Sequence, residues 1–302
     1  MQMWWSSWRW PLVAALFATA WIAAAELALR ARYRRRVLPR GGPAAGQVTV
    51  VALGDSIVAG APGPPAHAWP VLLAEHLRAA YPGVAWRVVN AGVSGDTAPQ
   101  GYARFDRDVA AAGPQIVLIA FGLNDCHPAH HGMDRWFEAD LPRGPARSYL
   151  FRVLRVRVAR WGRRAGWRSA REPEGISVSQ PRTSLAGFAN ALTALVARAR
   201  MVAAQPVLLT MTPLAAAHTA GVEIRFQTYP HYAAAIRACA ARTGTPLVEL
   251  TADALAPAIP TEAFEPDGFH LAAAGQAWLA DLVFRQLDGA GLWRRYAVED
   301  GR

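Results

Sequence analysis

The chain has 302 residues, above the usual size of one domain but compatible with one large α/β domain plus accessories. Hydrophobic residues make up 53% and charged ones 18%, which excludes a disordered tail; two cysteines exclude a disulfide-stapled scaffold and a Cys-rich zinc module. The net charge of +10 rests on 32 arginines and no lysine, and it concentrates in two stretches without a nucleic-acid-binding motif, so nucleic acid is not an expected partner.

The first stretch lies at the N-terminus. Residues 10–29 (WPLVAALFATAWIAAAELAL) are apolar apart from Glu26. Twenty helical residues rise about 30 Å, the thickness of a bilayer's hydrocarbon core. Trp4, Trp5, Trp8 and Trp10 lead in as interfacial aromatics do, and six arginines follow at 30, 32, 34, 35, 36 and 40. The expectation is an uncleaved single-pass transmembrane anchor over 1–29, preferred to a cleaved signal peptide because the arginine cluster sits on the wrong side of the span. The arginine asymmetry places the bulk of the chain in the cytoplasm, with an extracytoplasmic domain as the alternative. Residues 30–46 read as an Arg/Gly/Pro linker.

From 47 onward strand and helix alternate. Residues 47–53 (QVTVVAL) form an apolar, β-branched run that predicts a buried strand, and 86–90, 116–120, 206–210 and 246–250 repeat the pattern. Helical periodicity falls near 68–80, 98–112, 183–203, 230–243 and 272–288, ahead of a tail at 291–302. Five apolar strands joined by helices predict a parallel sheet covered on both faces. An insert at about 128–181 interrupts the alternation. Between 143 and 171 it holds ten arginines and no acid, with Leu150, Val153, Leu154, Val158 and Trp161 at helical spacing. That is the pattern of a basic amphipathic helix, suited to an anionic membrane surface or to packing on the domain.

Polar residues gather where three strands end. Gly54-Asp55-Ser56 follows the first strand, Asn90-Ala91-Gly92-Val93-Ser94-Gly95-Asp96 the second, and Gly122-Leu123-Asn124-Asp125 the third. Asp267-Gly268-Phe269-His270 precedes the last helix. Ligands of a parallel sheet bind beyond the carboxyl ends of its strands, so the first three blocks share an edge. The four blocks in this order resemble those of the SGNH hydrolases, also called the GDSL esterase/lipase family, over roughly residues 47–288. Ser56, Gly92, Asn124 and His270 match the four blocks, and Asp267 lies three residues before the histidine. The resemblance implies a three-layer α/β/α, flavodoxin-like sandwich and a hydrolase acting on esters or thioesters. The Arg-rich insert and the N-terminal span depart from the family pattern.

The chemistry of these residues agrees with that resemblance. A serine hydroxyl attacks an acyl carbonyl only when a base removes its proton, which neutral His270 would do, with Asp267 holding the ring. The backbone N–H groups of Ser56 and Gly92 and the amide of Asn124 are the expected oxyanion donors. Such a mechanism passes through an acyl-enzyme and calls for no metal and no organic cofactor. Asp55 and Asp125 are expected to order their turns. His127, His130 and His131 suit a pocket rim better than a metal site, Cys126 lacks a base of its own, and unpaired cysteines are favoured over a Cys126–Cys239 disulfide. The alternatives are a non-hydrolytic protein binding an acylated lipid or glycan, and an acyltransferase. Expected substrates are lipid or lysophospholipid esters, or an acetylated envelope polysaccharide.

Overall fold

The run at 47–53 forms an interior strand of a five-stranded parallel sheet because its side chains are apolar on both faces: Val50, Val51, Ala52 and Leu53 are all fully buried. The computed structural model describes residues 14, 17–29, 31, 46–128, 180–215, 226–250, 259 and 261–298. The chain divides into two compact units, Met1–Arg36 with Gly132–Val178, and Val37–His131 with Ser179–Arg302.

The second unit holds the sheet. In chain order it comprises β1 (Gln47–Gly54), α1 (Ser56–Ala59), α2 (Trp69–Ala80), β2 (Ala85–Gly92), α3 (Ala98–Ala103), α4 (Phe105–Asp108), β3 (Ile116–Ala120) and α5 (Leu123–Cys126). It continues with α6 (Leu185–Met201), β4 (Gln205–Leu209), α7 (Tyr229–Thr243), β5 (Leu247–Val248), α8 (Ala273–Gly289) and α9 (Arg294–Val298). The strand order is β2-β1-β3-β4-β5 and every pairing is parallel. Helix α2 packs against α8, whereas α6 packs against α3 and α7. Right-handed crossovers put these groups on opposite faces, a three-layer arrangement. The direction of winding reverses between β1 and β3, so a crevice opens beyond their carboxyl ends, next to Ser56 and Asn124.

Three elements differ from expectation. The helix predicted over 98–112 breaks into α3, α4 and a 3₁₀ turn at Ala110–Ala112, since Arg104 (φ −108°, ψ 5°) leaves the helix to send its side chain inward. Strand β5 is short, and side chains serve the backbone beyond it: on the open edge Gln286 accepts from the Glu249 N–H at 2.9 Å and donates to the Glu249 carbonyl at 2.7 Å. The Leu250 N–H likewise goes to Thr210 Oγ1 at 2.7 Å. The expected tail contributes α9 and the fully buried Trp293, which stacks edge-on against Trp86 with ring centroids 5.9 Å apart.

Of the first unit, residues 17–29 are helical, with Phe17, Trp21, Ile22 and Leu27 exposed. The rest of the predicted 10–29 span lies outside the described residues apart from Ala14, and among the described residues no helix is long and apolar enough to cross a membrane. The Arg-rich stretch 143–171, His130, His131 and most of the 30–46 linker also lie outside the described residues.

Candidate active site

Ser56 opens the four-residue helix α1 directly after β1, with Asp55 as its N-cap. The Asp55 carboxylate accepts the Ile57 N–H at 2.9 Å, which fixes the turn. As the first helical residue, Ser56 has a backbone N–H without an intrahelical acceptor. Its side chain meets a residue 214 positions away: Ser56 Oγ lies 2.9 Å from His270 Nε2.

A tight loop presents that histidine. Phe264 and Leu271 form an antiparallel bridge, the Glu265 N–H donates to the His270 carbonyl at 2.9 Å, and the Ala215 N–H donates to the Gly268 carbonyl at 2.9 Å. Within the loop Asp267 Oδ2 sits 2.6 Å from His270 Nδ1, and Oδ1 accepts the N–H groups of His270 at 3.0 Å and Phe269 at 3.2 Å. Burial alone would raise the Asp267 carboxyl. Its hydrogen bonds from the His270 ring and from these two N–H groups outweigh burial and hold it below the usual carboxylate range. From α8, Gln276 ties the loop's helix to the front of the site: it accepts the Trp69 N–H at 2.9 Å and reaches the Ile57 carbonyl at 3.4 Å.

Asn124, in α5, shares the crevice. Its side-chain amide donates to Asp55 Oδ2 at 3.2 Å, and its carbonyl oxygen accepts from Arg182 Nη1 at 3.1 Å. One of its two amide hydrogens is thereby used and the other is left for a ligand. Asp55 is buried, and desolvation pushes its pKa up to about 6 against the opposing bonds from Ile57 and Asn124.

Gly92 departs from expectation. Its N–H, expected to face a substrate oxygen, donates to Asn90 Oδ1 at 2.9 Å, while Asn90 Nδ2 donates to the Val58 carbonyl at 2.7 Å. A Cβ at 92 would stand 2.2 Å from the Ala59 nitrogen, so the missing side chain serves the close approach of α1 to β2. Three residues on, Gly95 turns the chain with φ +83°, and its carbonyl accepts from Arg182 Nη2 at 3.1 Å.

Two buried polar side chains brace this edge. Arg104 donates to Asp96 Oδ2 at 2.7 Å, to Asp108 Oδ2 at 3.1 Å, and to the carbonyls of Ala91 at 2.7 Å and Gly54 at 2.8 Å, which ties the ends of β1 and β2 together. Asp125 accepts the Ala98 N–H through both oxygens, at 3.0 and 3.2 Å, anchoring the start of α3. Both aspartates named at the sequence level, Asp55 and Asp125, do order backbone. Arg104, Arg182 and Asn90 had no distinguishing signal: an arginine among 32, another at the foot of an insert, and an asparagine inside a motif.

Burial raises the Asp125 pKa to about 7, against the bonds from Ala98 and Thr183 and the charge of Arg182. The folded state therefore keeps a proton that the unfolded chain gives up near the ordinary carboxyl value of 3.8. The associated stability is present below that value and lost as pH rises to about 7, with Asp55 adding to the loss up to about 6. Asp267, held low, acts in the opposite sense at more acid pH. Asp125→Asn keeps a carbonyl acceptor for Ala98, so urea midpoints measured from pH 4 to 7 should decline less steeply than in the native chain; an unchanged slope would refute the assignment.

His127, Cys126 and Cys239 are the remaining candidates among the described residues. His127 Nδ1 is 3.0 Å from the Pro128 carbonyl, and its ring begins a run of aromatic contacts through Phe226 (5.5 Å) and Phe269 (5.5 Å) to His270 (4.5 Å). Cys126 and Cys239 are both buried free thiols. Burial pushes the Cys126 thiol well above its ordinary range, which leaves it a poor nucleophile.

The model of the GDSL-like Lipase/Acylhydrolase family matches residues 52–278. Among curated proteins, the chain is 42% identical over 77 residues to the esterase TesA of Pseudomonas aeruginosa, covering 26% of this chain and 37% of that protein. It is 41% identical over 66 residues to an acetylxylan esterase of Geobacillus stearothermophilus, covering 22% of this chain and 26% of that one. The matched segments thus span about a third of the relatives' own lengths. Among solved structures, a lipase/acylhydrolase from Enterococcus faecalis superposes with a TM-score of 0.53 at 18% identity, over 81% of this chain and 97% of that one, a likeness of fold.

Proposed function

Because the chain belongs to the GDSL-like lipase/acylhydrolase family, we propose that it hydrolyses acyl esters through an acyl-enzyme on Ser56. The observation that carries this is the line of contacts from Ser56 Oγ to His270 Nε2 at 2.9 Å and from His270 Nδ1 to Asp267 Oδ2 at 2.6 Å. Ser56 Oγ attacks the acyl carbon while its proton passes to His270 Nε2; the imidazolium then protonates the departing alkoxide. A water molecule enters, gives a proton to the same nitrogen and attacks the acyl-enzyme; the imidazolium returns that proton to Ser56 Oγ as it leaves, which releases the acid and restores the hydroxyl and the neutral imidazole. Asp267 keeps the Nδ1–H tautomer and stabilises the imidazolium. The oxyanion would be met by the Ser56 N–H and the free amide hydrogen of Asn124. The third donor is assigned to Gly95 and not to Gly92, since the Gly92 N–H is engaged by Asn90 whereas Gly95 is joined to Asn124 through Arg182.

The names of the relatives, esterase and acetylxylan esterase, support ester chemistry, and a nucleophile already paired with a base favours turnover over passive binding. Location at a membrane, through the apolar 10–29 stretch, belongs to the proposal on the strength of the sequence and of the exposed Phe17, Trp21, Ile22 and Leu27. The test is hydrolysis of p-nitrophenyl esters from acetate upward, with mass-spectrometric identification of the residue labelled by an alkyl fluorophosphonate. Turnover with the label on Ser56 supports the mechanism; no turnover with any ester, or a label elsewhere, overturns it. A reporter fused to the C-terminus and active on one side of a membrane only would establish location, and full release of the protein into the soluble fraction would refute anchoring.

A further inference from the structure

We propose that Arg182 is a positioning residue for the oxyanion pocket, acting through Asn124 and the 93–96 turn; the inference rests on the hydrolase reading above. Arg182 stands where the insert returns to the domain. Pro128 and Pro181 form an antiparallel bridge, the Arg182 N–H donates to the His127 carbonyl at 2.9 Å, and the Thr183 N–H donates to the Asp125 carbonyl at 3.1 Å. The Thr183 carbonyl in turn accepts the Tyr232 hydroxyl. These bonds fasten the Arg182 backbone to residues 125–128, which directly follow Asn124, so its side chain starts from a fixed base.

The guanidinium then spans two acceptors that belong to different strand ends. Nη1 reaches Asn124 Oδ1 and Nη2 reaches the Gly95 carbonyl, both at 3.1 Å. On its other side, the Asn124 amide donates to Asp55 Oδ2 at 3.2 Å. An amide pinned by a cation at its oxygen and by a carboxylate at one N–H has a single allowed orientation. Turning it over would set carbonyl against carboxylate and NH₂ against guanidinium. The remaining amide hydrogen therefore points in one direction before any substrate arrives, which is the preorganisation that oxyanion stabilisation needs. Without Arg182 the amide would keep only the 3.2 Å bond to Asp55 and would rotate. A lysine has one compact charge and cannot reproduce a planar fork bridging two carbonyl groups.

The experiment compares the full chain with Arg182→Lys, Asn124→Ala and the double variant on p-nitrophenyl acetate, with thermal midpoints recorded for each. Asn124→Ala should lower kcat by about 10²–10³-fold, the cost of one oxyanion donor, and Arg182→Lys by roughly 10–100-fold with KM changed less than about threefold. Because Arg182 acts largely through Asn124, the double variant should fall well short of the product of the two single losses. A kcat for Arg182→Lys within about twofold of the native chain, or full multiplicativity in the double variant, would overturn the proposal. A second readout does not depend on turnover: the ¹⁵N side-chain amide signal of Asn124, assigned by its loss in Asn124→Ala, should shift and broaden in Arg182→Lys. An unmoved signal also overturns the proposal. If the native chain hydrolyses no ester, the hydrolase reading fails by itself, while that signal still decides whether Arg182 sets the amide.

Discussion

Replacing Ser56 by Ala, or His270 by Gln, is expected to lower kcat for a short acyl ester by on the order of 10⁴–10⁶-fold, and the double variant is expected to be no worse than either single one. The non-additivity follows from the contact itself. A hydroxyl without its base and a base without its hydroxyl both leave the first bond-making step without a place for the proton, so the second removal takes away nothing further. Folding should be nearly unaffected. Ser56 and His270 meet in a crevice and not in the packed core, and the His270 loop keeps its backbone bonds to Asp267, Glu265 and Ala215. Turnover by Ser56→Ala at more than a hundredth of the native rate, in a preparation free of other esterases, would remove Ser56 as nucleophile.

The largest effect on stability is expected at Arg104. Its side chain is 4% exposed and is paired with Asp96 and Asp108, whose side chains are 3% and 2% exposed. Arg104→Met fills much of the same volume but leaves the Asp96 carboxylate and the carbonyls of Gly54 and Ala91 without this donor. Removing one partner of a buried ion pair costs about 3–5 kcal/mol, because the charge left behind stays out of water. In a domain of this size that corresponds to a fall in thermal midpoint of roughly 6–20 °C. Activity should fall as well at temperatures below the transition. Arg104 joins the Gly54 carbonyl, beside the Ser56 turn, to the strand end that precedes Gly95, so its loss loosens two walls of the crevice together. A midpoint within about 2 °C of the native chain would show that Arg104 is not a brace, since a single lost surface contact shifts the midpoint by that little.

Much of the sheet was legible because buried strands have a simple physical signature. A β-branched apolar run such as 47–53 has no polar face to offer water, so it can only be a covered strand, and five such runs between helices leave few topologies. The short β5 was not legible, since nothing local in 246–250 shows that the Thr210 side chain will take the Leu250 N–H in place of a ladder carbonyl. The break at Arg104 was hidden for a related reason. Helical spacing continues through 98–112, and only the acceptors at Gly54, Ala91 and Asp96 draw the arginine inward and end the helix.

At the site the division is similar. Ser56, Asn124, Asp267 and His270 stood out in the sequence because polar residues at strand ends and in a short D-x-x-H block have no packing purpose there. Gly92 stood out too, but a glycine that lets backbone approach a ligand and one that lets α1 approach β2 look the same along the chain. The side chain of Asn90 and the backbone of Ala59 distinguish them, and both come from the fold.

What the sequence determined by itself is the parallel sheet and the candidate polar residues at its strand ends, because residue type and apolar periodicity are local properties. Only the tertiary structure decided which N–H groups are already spent, that Arg104 is buried, and that Arg182 grips Asn124 and Gly95 at once. Those are matters of which groups lie within hydrogen-bonding distance across long separations in the chain, and hydrogen bonds of that reach are settled by packing and leave no periodicity to read.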